Sequence, residues 1–486
     1  MVEAAGDAPA ISERLPNRRG GKVYLAGAVV AQACALFRYT LLARILGPQQ
    51  LGLVATLILV ANFFEMVSDT GSDRFLVQDR EGEDPAVQNL VQLVFLSRGL
   101  FMGLGLAIVA WPVAQFYHAP ALFAGLAILG LSPLFRGAMH LDTRRFQRRN
   151  DFRAEGVGIL ISEVLSLGAT VVAAYLTRDY TAILYGLILR SVLVAIVSHV
   201  LAERPYRLAY SSSIARRLRT FSGPLIANGF LMFVAGQSDR LMVSGLVSLT
   251  ALGQYSAILL LVLYPTAALT RYVTGIHLPL VAADPLATNR DSAPDKLAGA
   301  ALLLSLGTAA GFAVVGPLAV RVLYGVKFSE APLLIAMIGV LTTGRLMRVW
   351  PTTLALGLGQ SHIVMANNLA RMLGIPAAFA FVGLLGGVMG VVTGFIVGEL
   401  AALLTAVVML NRGRGLAWTH DFDRVATFVI ASALIIGLTG AVQYHWLAGM
   451  ILLIPAAITT IWVVQRERQS IGGGLRIAQR LLRIKR

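Results

Sequence analysis

Apolar stretches of about twenty residues, separated by short polar joints, run through almost the whole of this chain. A hydrocarbon core about 30 Å thick takes about 20 helical residues to cross, so each such stretch predicts a transmembrane helix. Fourteen are predicted, over 23–46, 50–70, 88–112, 119–140, 156–176, 180–201, 220–245, 250–275, 297–321, 331–356, 361–384, 388–410, 425–443 and 446–465. The expected fold class is an all-α polytopic membrane protein with about 14 transmembrane helices.

Charge tests that reading independently, because short cytoplasmic loops collect Lys and Arg. With the N-terminus inside, the inside segments hold 28 of the 41 Lys and Arg, the outside loops hold only Arg178 and Lys327, and 11 arginines fall within spans. Both termini are therefore expected in the cytoplasm. The first 22 residues are polar and no small-residue cleavage site follows them, so no cleaved signal peptide is expected. With 57% hydrophobic and 14% charged residues, a soluble enzyme is all but excluded. The formal charge of +16 is spread between apolar runs, which removes nucleic acid as the implied partner. Cys34 is the only cysteine, so no disulfide forms within the chain.

The connections leave little room for catalysis. None exceeds about 20 residues, and outside joints such as Gly47-Pro48-Gln49 and Leu385-Gly386-Gly387 are short and uncharged. A nucleophile elbow, a P-loop and His-x-x-x-His spacing are absent, and the seven histidines are scattered. No catalytic residue, metal site or cofactor is expected, and the chain is not expected to be an enzyme.

The chemistry lies within the spans. Arg38, Arg44, Arg98, Arg136, Arg190, Arg240, Arg271, Arg321, Arg345, Arg348 and Arg371 are accompanied there by Glu65, Glu163, Asp239 and Glu399. Each charge costs about 2.5–3.5 kcal/mol at mid-membrane on an insertion scale, so it must face protein or water. Arg44, Arg136, Arg271 and Arg321 lie near span ends, where a long side chain can reach the headgroups. Arg38, Arg98, Arg190, Arg240, Arg345, Arg348 and Arg371 lie deeper, and cavity-facing ligands compete there with buried ion pairs. Even with every acid paired, these seven leave excess positive charge, so the implied substrate is anionic, and the planar guanidinium suits a diphosphate. With 37 Arg against 4 Lys, a GC-rich genome explains part of the arginine usage. Asp239 and Arg240 point about 100° apart on a helix and need different partners. Arg345 and Arg348, at i and i+3, need a carboxylate from another helix or a ligand. Glu65, Glu163, Asp239 and Glu399 are candidates for ion coupling or for ion pairing.

The two halves carry a weak repeat. Leu51-Gly52 and Leu252-Gly253 match at an offset of 201 residues, and the same offset sets Arg38 opposite Asp239. Six spans separate the copies, so the repeats run parallel. The stretch Arg44 to Ala55, then Phe64-Glu65 and Asp69 to Gln78, with Asn228, Asp239-Arg240 and Leu252 to Ala257 in the second half, resembles the signatures of bacterial polysaccharide transporters. These O-antigen and exopolysaccharide flippases belong to the multidrug, oligosaccharidyl-lipid and polysaccharide exporter superfamily. The resemblance covers roughly residues 20–410. It implies two six-helix bundles around a V-shaped central cavity, and movement of an undecaprenyl-diphosphate-linked oligosaccharide from the cytoplasmic to the periplasmic leaflet. It marks Arg38, Asp239 and Arg240 as cavity-facing.

On this reading the domains are a cytoplasmic segment 1–22, a first bundle 23–201, a basic linker 202–219, a second bundle 220–410, two further helices 411–465 and a basic amphipathic tail 466–486. The expected partners are the lipid-linked oligosaccharide, membrane lipids and polysaccharide polymerase or assembly proteins. The acidic loop from Asp73 to Asp84 reads as solvated or as a docking point for that machinery. Ser222-Gly223-Pro224 and Tyr264-Pro265 are points where helices could bend. The alternatives are an ion-coupled multidrug exporter, a lipid II flippase, and a membrane enzyme of glycan assembly, the last disfavoured by the missing catalytic loops.

Overall fold

The computed structural model describes residues 18–284, 286–287, 292–328, 330–417 and 421–444. The regular elements described are all helices: α1 (Arg18–Val67), α2 (Ser72–Gln78), α3 (Pro85–Phe116), α4 (Ala121–Leu129), α5 (Leu131–Gly137), α6 (Asp142–Arg148), α7 (Arg153–Thr177), α8 (Thr181–Val200), α9 (Ser212–Leu246), α10 (Leu249–Ala283), α11 (Ala293–Tyr324), α12 (Pro332–Met347), α13 (Val349–Gly357), α14 (Ser361–Arg371), α15 (Gly374–Leu385), α16 (Gly387–Gly413) and α17 (Phe422–Tyr444), with a 3₁₀ turn at Val326–Phe328. Among the described residues, eleven helical stretches are long and apolar enough to cross a membrane, or twelve if Ala121–Gly137 and Asp142–Arg148, bent by 51°, form one broken span. These stretches do not confirm the exact count of fourteen. The first two expected spans both fall in α1, and the fourteenth, with the basic tail Leu475–Arg486 and residues 1–17, lies outside the described residues.

The two arms of α1 meet at Gly47, whose φ of 77° and ψ of 176° break the helix just before Pro48, which has no N–H to continue it. Arg190 is within electrostatic reach of both Arg38 and Glu65, although 27 helical residues would set those two about 40 Å apart. The chain must therefore turn back at Gly47.

Residues divide into two compact units. Unit 1 holds residues 1–38 and 60–230; unit 2 holds 39–59 and 231–486. The division falls within α9 rather than in the linker 202–219, and the tip of the α1 hairpin belongs with the second half of the chain.

Glycine seams set the helix positions inside each unit. In unit 1, α3 lies against α4 and α5: a β-carbon at Gly99 would stand 2.5 Å from the Pro133 carbonyl oxygen, and one at Gly103 would stand 2.7 Å from that of Gly130. In unit 2, Gly390, Gly394 and Gly398 recur every four residues on α16 and face α14 and α15. A β-carbon at Gly394 would sit 2.2 Å from the Ala378 backbone, and one at Gly398 would sit 2.6 Å from the Arg371 carbonyl oxygen. Small residues at this spacing allow close backbone approach, and dispersion then holds apolar helices that gain nothing from the hydrophobic effect in lipid.

The joints of unit 1 form an ionic knot. Asp142 is fully buried and accepts from Arg145 Nε at 2.5 Å, and from the backbone N–H groups of Glu203 and Arg204 at 2.8 and 3.2 Å. Arg149 grips Glu83 through two bonds of 3.0 and 2.8 Å, Arg217 reaches Glu81 at 2.7 Å, and Arg148 donates to the carbonyls of Val77, Asp79 and Arg80. The acidic loop, read from its composition as solvated or as a docking point, is thus bonded within its own unit while Arg80, Glu81 and Asp84 stay exposed. The basic joints 141–155 and 202–219 neutralise it from the same end of the unit, as the even number of spans between these joints requires.

Two predictions follow from this packing. Burial alone would raise the Asp142 carboxyl, but the bonds from Arg145 and from the Glu203 and Arg204 N–H groups outweigh it and hold the group at about 2, below its ordinary 3.8. A depressed carboxylate stabilises the fold fully above pH about 4 and loses that contribution as pH falls toward 2, a total of about 2 kcal/mol. Asp142→Asn should lower the thermal midpoint at pH 7 and flatten its decline below pH 4, read by unfolding in detergent across that range. Gly394→Val should push α15 off α16 at a cost of about 1–3 kcal/mol or more, seen as lost folded yield on size-exclusion chromatography.

Candidate functional site

Each unit gathers its span arginines around buried carboxylates. In unit 1, Glu163 on α7 is held between Arg38 of α1, at 3.1 Å, and Arg190 of α8, at 2.6 Å. Ser166, one turn further along α7, accepts a second bond from Arg38 at 2.8 Å. Arg38 and Glu163 are both buried, whereas the Arg190 side chain is 44% exposed. The glycine seam at Gly99 and Gly137 brings the neighbouring Arg98 and Arg136 together beside Glu65. Arg136 pairs with the Glu65 carboxylate at 2.7 Å, and Arg98 donates to the Glu65 carbonyl at 2.7 Å and to Ser68 Oγ at 3.1 Å.

In unit 2, three arginines converge on Glu399 of α16. Arg345 of α12, Arg348 at the α12–α13 joint and Arg371 at the end of α14 reach its carboxylate at 3.0, 2.8 and 2.7 Å. Gly398 lets α14 approach closely enough to deliver Arg371. Arg345 also spans to Asp239 of α9 at 3.3 Å, and the Tyr255 hydroxyl donates to Asp239 at 2.8 Å. Arg348 donates to Asn367, which is buried, and Arg240 donates to the Gln237 side-chain carbonyl at 2.8 Å.

These contacts give several of the sequence candidates their partners. The Arg345–Arg348 pair meets a carboxylate from another helix, and Asp239 and Arg240 take different partners. Glu65, Glu163, Asp239 and Glu399 all form ion pairs. Two arginines near span ends also bond within the protein: Arg136 pairs with Glu65, and Arg44 donates to the carbonyls of Leu323, at 2.9 Å, and of Val322. Arg271 and Arg321 are exposed. Ser166, Tyr255 and Asn367 went unnoticed in the sequence, where nothing separates them from other polar residues in spans. Arg136 could have been found from its place beside a small-residue seam. Among the described residues no group of three or more His, Cys, Asp or Glu could hold a metal ion.

Arginine outnumbers carboxylate in both units. Counting span groups that meet one another, unit 1 sets Arg38, Arg98, Arg136 and Arg190 against Glu65 and Glu163; unit 2 sets Arg240, Arg345, Arg348 and Arg371 against Asp239 and Glu399. In unit 1 the Asp69 carboxylate, which pairs with Arg74 at 3.0 Å, also lies near Arg98, so arginine exceeds carboxylate in both units but by a smaller margin in unit 1. The acids fix where the arginines point.

Solved structures share this fold. A lipid II flippase MurJ in an inward closed conformation aligns with 93% of this chain and 100% of its own, with TM-score 0.67 and 12% identity. A multidrug resistance MATE family transporter of the MOP superfamily, inward-facing, aligns with 84% of this chain and 95% of its own, with TM-score 0.55 and 14% identity. In sequence, the succinoglycan biosynthesis transport protein ExoT of Rhizobium meliloti (strain 1021) is 28% identical over 240 residues, 49% of this chain and 48% of ExoT. The chain thus matches about half the length of that curated relative. The family model described as polysaccharide biosynthesis protein matches residues 41–333, well over half of the chain, and the chain belongs to that family.

Proposed function

We propose that this protein is a flippase that carries an undecaprenyl-diphosphate-linked oligosaccharide from the cytoplasmic to the periplasmic leaflet of the bacterial inner membrane, by alternating access, for surface polysaccharide assembly. The observation that carries the reading is the surplus of arginine over carboxylate in both units. A transporter of organic cations would need the opposite balance, acidic and aromatic. A diphosphate offers oxygens on several faces, which planar guanidinium forks can grip in pairs. Family membership and the kinship with ExoT support a polysaccharide precursor as the cargo. Both termini lie in the cytoplasm on this reading, and the isoprenoid stays in lipid while the headgroup and sugars cross. Arg38, Arg98, Arg190, Arg240, Arg345, Arg348 and Arg371 supply the anion-binding charge. Glu65, Glu163, Asp239 and Glu399 hold those arginines in place.

The decisive experiment measures the lipid-linked oligosaccharide pool and its leaflet in cells with and without the protein. Accumulation on the cytoplasmic face with loss of surface glycan is expected; an unchanged pool in cells with no second flippase would overturn the reading. Arg240 gives the cleanest residue test, because its side chain bonds the neutral Gln237 amide and not a carboxylate. Arg240→Ala should stop export while changing stability by about 1 kcal/mol or less, the worth of a typical exposed or partly buried hydrogen bond. Glu399→Gln should instead cost about 3–5 kcal/mol, because it leaves three guanidiniums around a neutral group. Thermal unfolding beside glycan export separates the two outcomes.

A further inference from the structure

Helix α17 is fastened at its two ends and hollow between them. At one end Arg424 pairs with Asp295 of α11 at 2.6 Å, and at the other the Gln443 side-chain carbonyl accepts from the Leu333 N–H of α12 at 3.1 Å. Between these ties, α12, α16 and α17 enclose a cavity of about 130 Å³ within unit 2. Its walls are mostly apolar, with Leu341 and Gly344 from α12, Ile396 from α16 and Phe428 from α17. Glu399 also stands in the wall, but its carboxylate is shared by three arginines. The remaining polar group is Ser432 of α17, which is buried and whose hydroxyl takes no hydrogen-bond partner. Thr427 and Thr439 on the same helix bond the carbonyl one turn back, at 2.6 and 2.7 Å, the usual resort of a hydroxyl within a span. Ser432 does not, and leaves its hydroxyl free at the cavity wall. Water does not suit this space, since a buried water needs two to four polar partners and finds one uncommitted group. An apolar cavity of about 150 Å³ stays dry and takes up benzene, so the volume here suits a single ring. Access is from the lipid side, where Val429 and Ala433 in the α17 wall are exposed.

We propose that this cavity is a binding site for a small neutral lipophilic molecule, one ring in size and carrying one hydroxyl, drawn from the bilayer. The ring fills the apolar space against Phe428, and its hydroxyl pairs with Ser432 Oγ. A charged ligand is not accommodated, because Glu399 already has three guanidinium partners and the other walls offer no counter-charge. A whole isoprenoid or acyl chain exceeds the space, so the site is separate from any path for a lipid-linked cargo. It does not rest on the flippase reading. Because Glu399 forms part of the wall, the occupant braces α16 against α12 at the level where Arg345 and Glu399 meet.

The test titrates the full-length protein in detergent with para-fluorophenol and with fluorobenzene, followed by fluorine NMR. Fluorophenol should bind saturably at one site, about tenfold tighter than fluorobenzene, the difference that one hydrogen bond supplies, and should raise the thermal midpoint. Ser432→Ala keeps the space and removes the hydroxyl, so the two probes should then bind alike. Ser432→Leu fills the space and should abolish saturable binding of both. Should Ser432→Leu fail to fold, the near-isosteric Ser432→Ala still decides the question through the ratio of the two affinities. Absence of saturable binding to the parent protein overturns the site, as does a ratio unchanged in Ser432→Ala. A lipid that is extracted at one per protein from the parent and is missing from Ser432→Leu would give the cavity to a chain end instead, and would equally overturn the proposal.

Discussion

An arginine within hydrocarbon must find a counter-charge, and its own helix seldom supplies one; the placement of the spans in both units depends on meeting that demand. Glu163 joins α1, α7 and α8 through two guanidiniums, and Glu399 joins α12, α14 and α16 through three. Each unit is thereby fixed at its charged centre by groups that cost too much to leave unpaired. The pairing is uneven: in each unit the span arginines outnumber the span carboxylates they meet.

Helices must first come close for such pairs to form, and glycine provides the approach. The α3 seam at Gly99 and Gly103 carries Arg98 beside Arg136, and the α16 seam at Gly390, Gly394 and Gly398 carries Glu399 beside Arg371. The charged residue and the small residue are sequence neighbours in each case. Packing and electrostatics therefore act at the same level of the helix, and a side chain added at a seam would displace an ion pair along with the helix that carries it. The repeated turns at Gly52 and Gly253 use the same device for a different end, since no charge needs to be placed there and only the backbones touch.

Outside the spans the constraint relaxes and the solution changes. The joints of unit 1 carry acids and arginines in similar density, and they bind one another in a surface network around the buried Asp142. Exposed pairs such as Arg149–Glu83 contribute little one by one, about 0–1 kcal/mol, but Asp142 is buried and ties α6 to the linker that leads into α9. That tie anchors the first half of α9 in unit 1, while the rest of the helix belongs to unit 2.

The sequence by itself determined the class of protein. Hydropathy over windows of about twenty residues reports the cost of placing each segment in hydrocarbon, a local property, so most spans, their all-helical character and the surplus of intramembrane arginine were legible without coordinates. The i, i+3 spacing of Arg345 and Arg348 even stated the need for an acid from another helix. Only the tertiary structure decided which acid that was. Arg38 and its partner Glu163 are 125 residues apart, and nothing in either local sequence names the other. The same holds for Arg136 and its partner Glu65, for the acidic loop bonded by basic joints, and for the two glycines that close on one another. Crossing a membrane is decided segment by segment, whereas a buried charge or a bare backbone takes its partner from whichever helix the packing brings within reach.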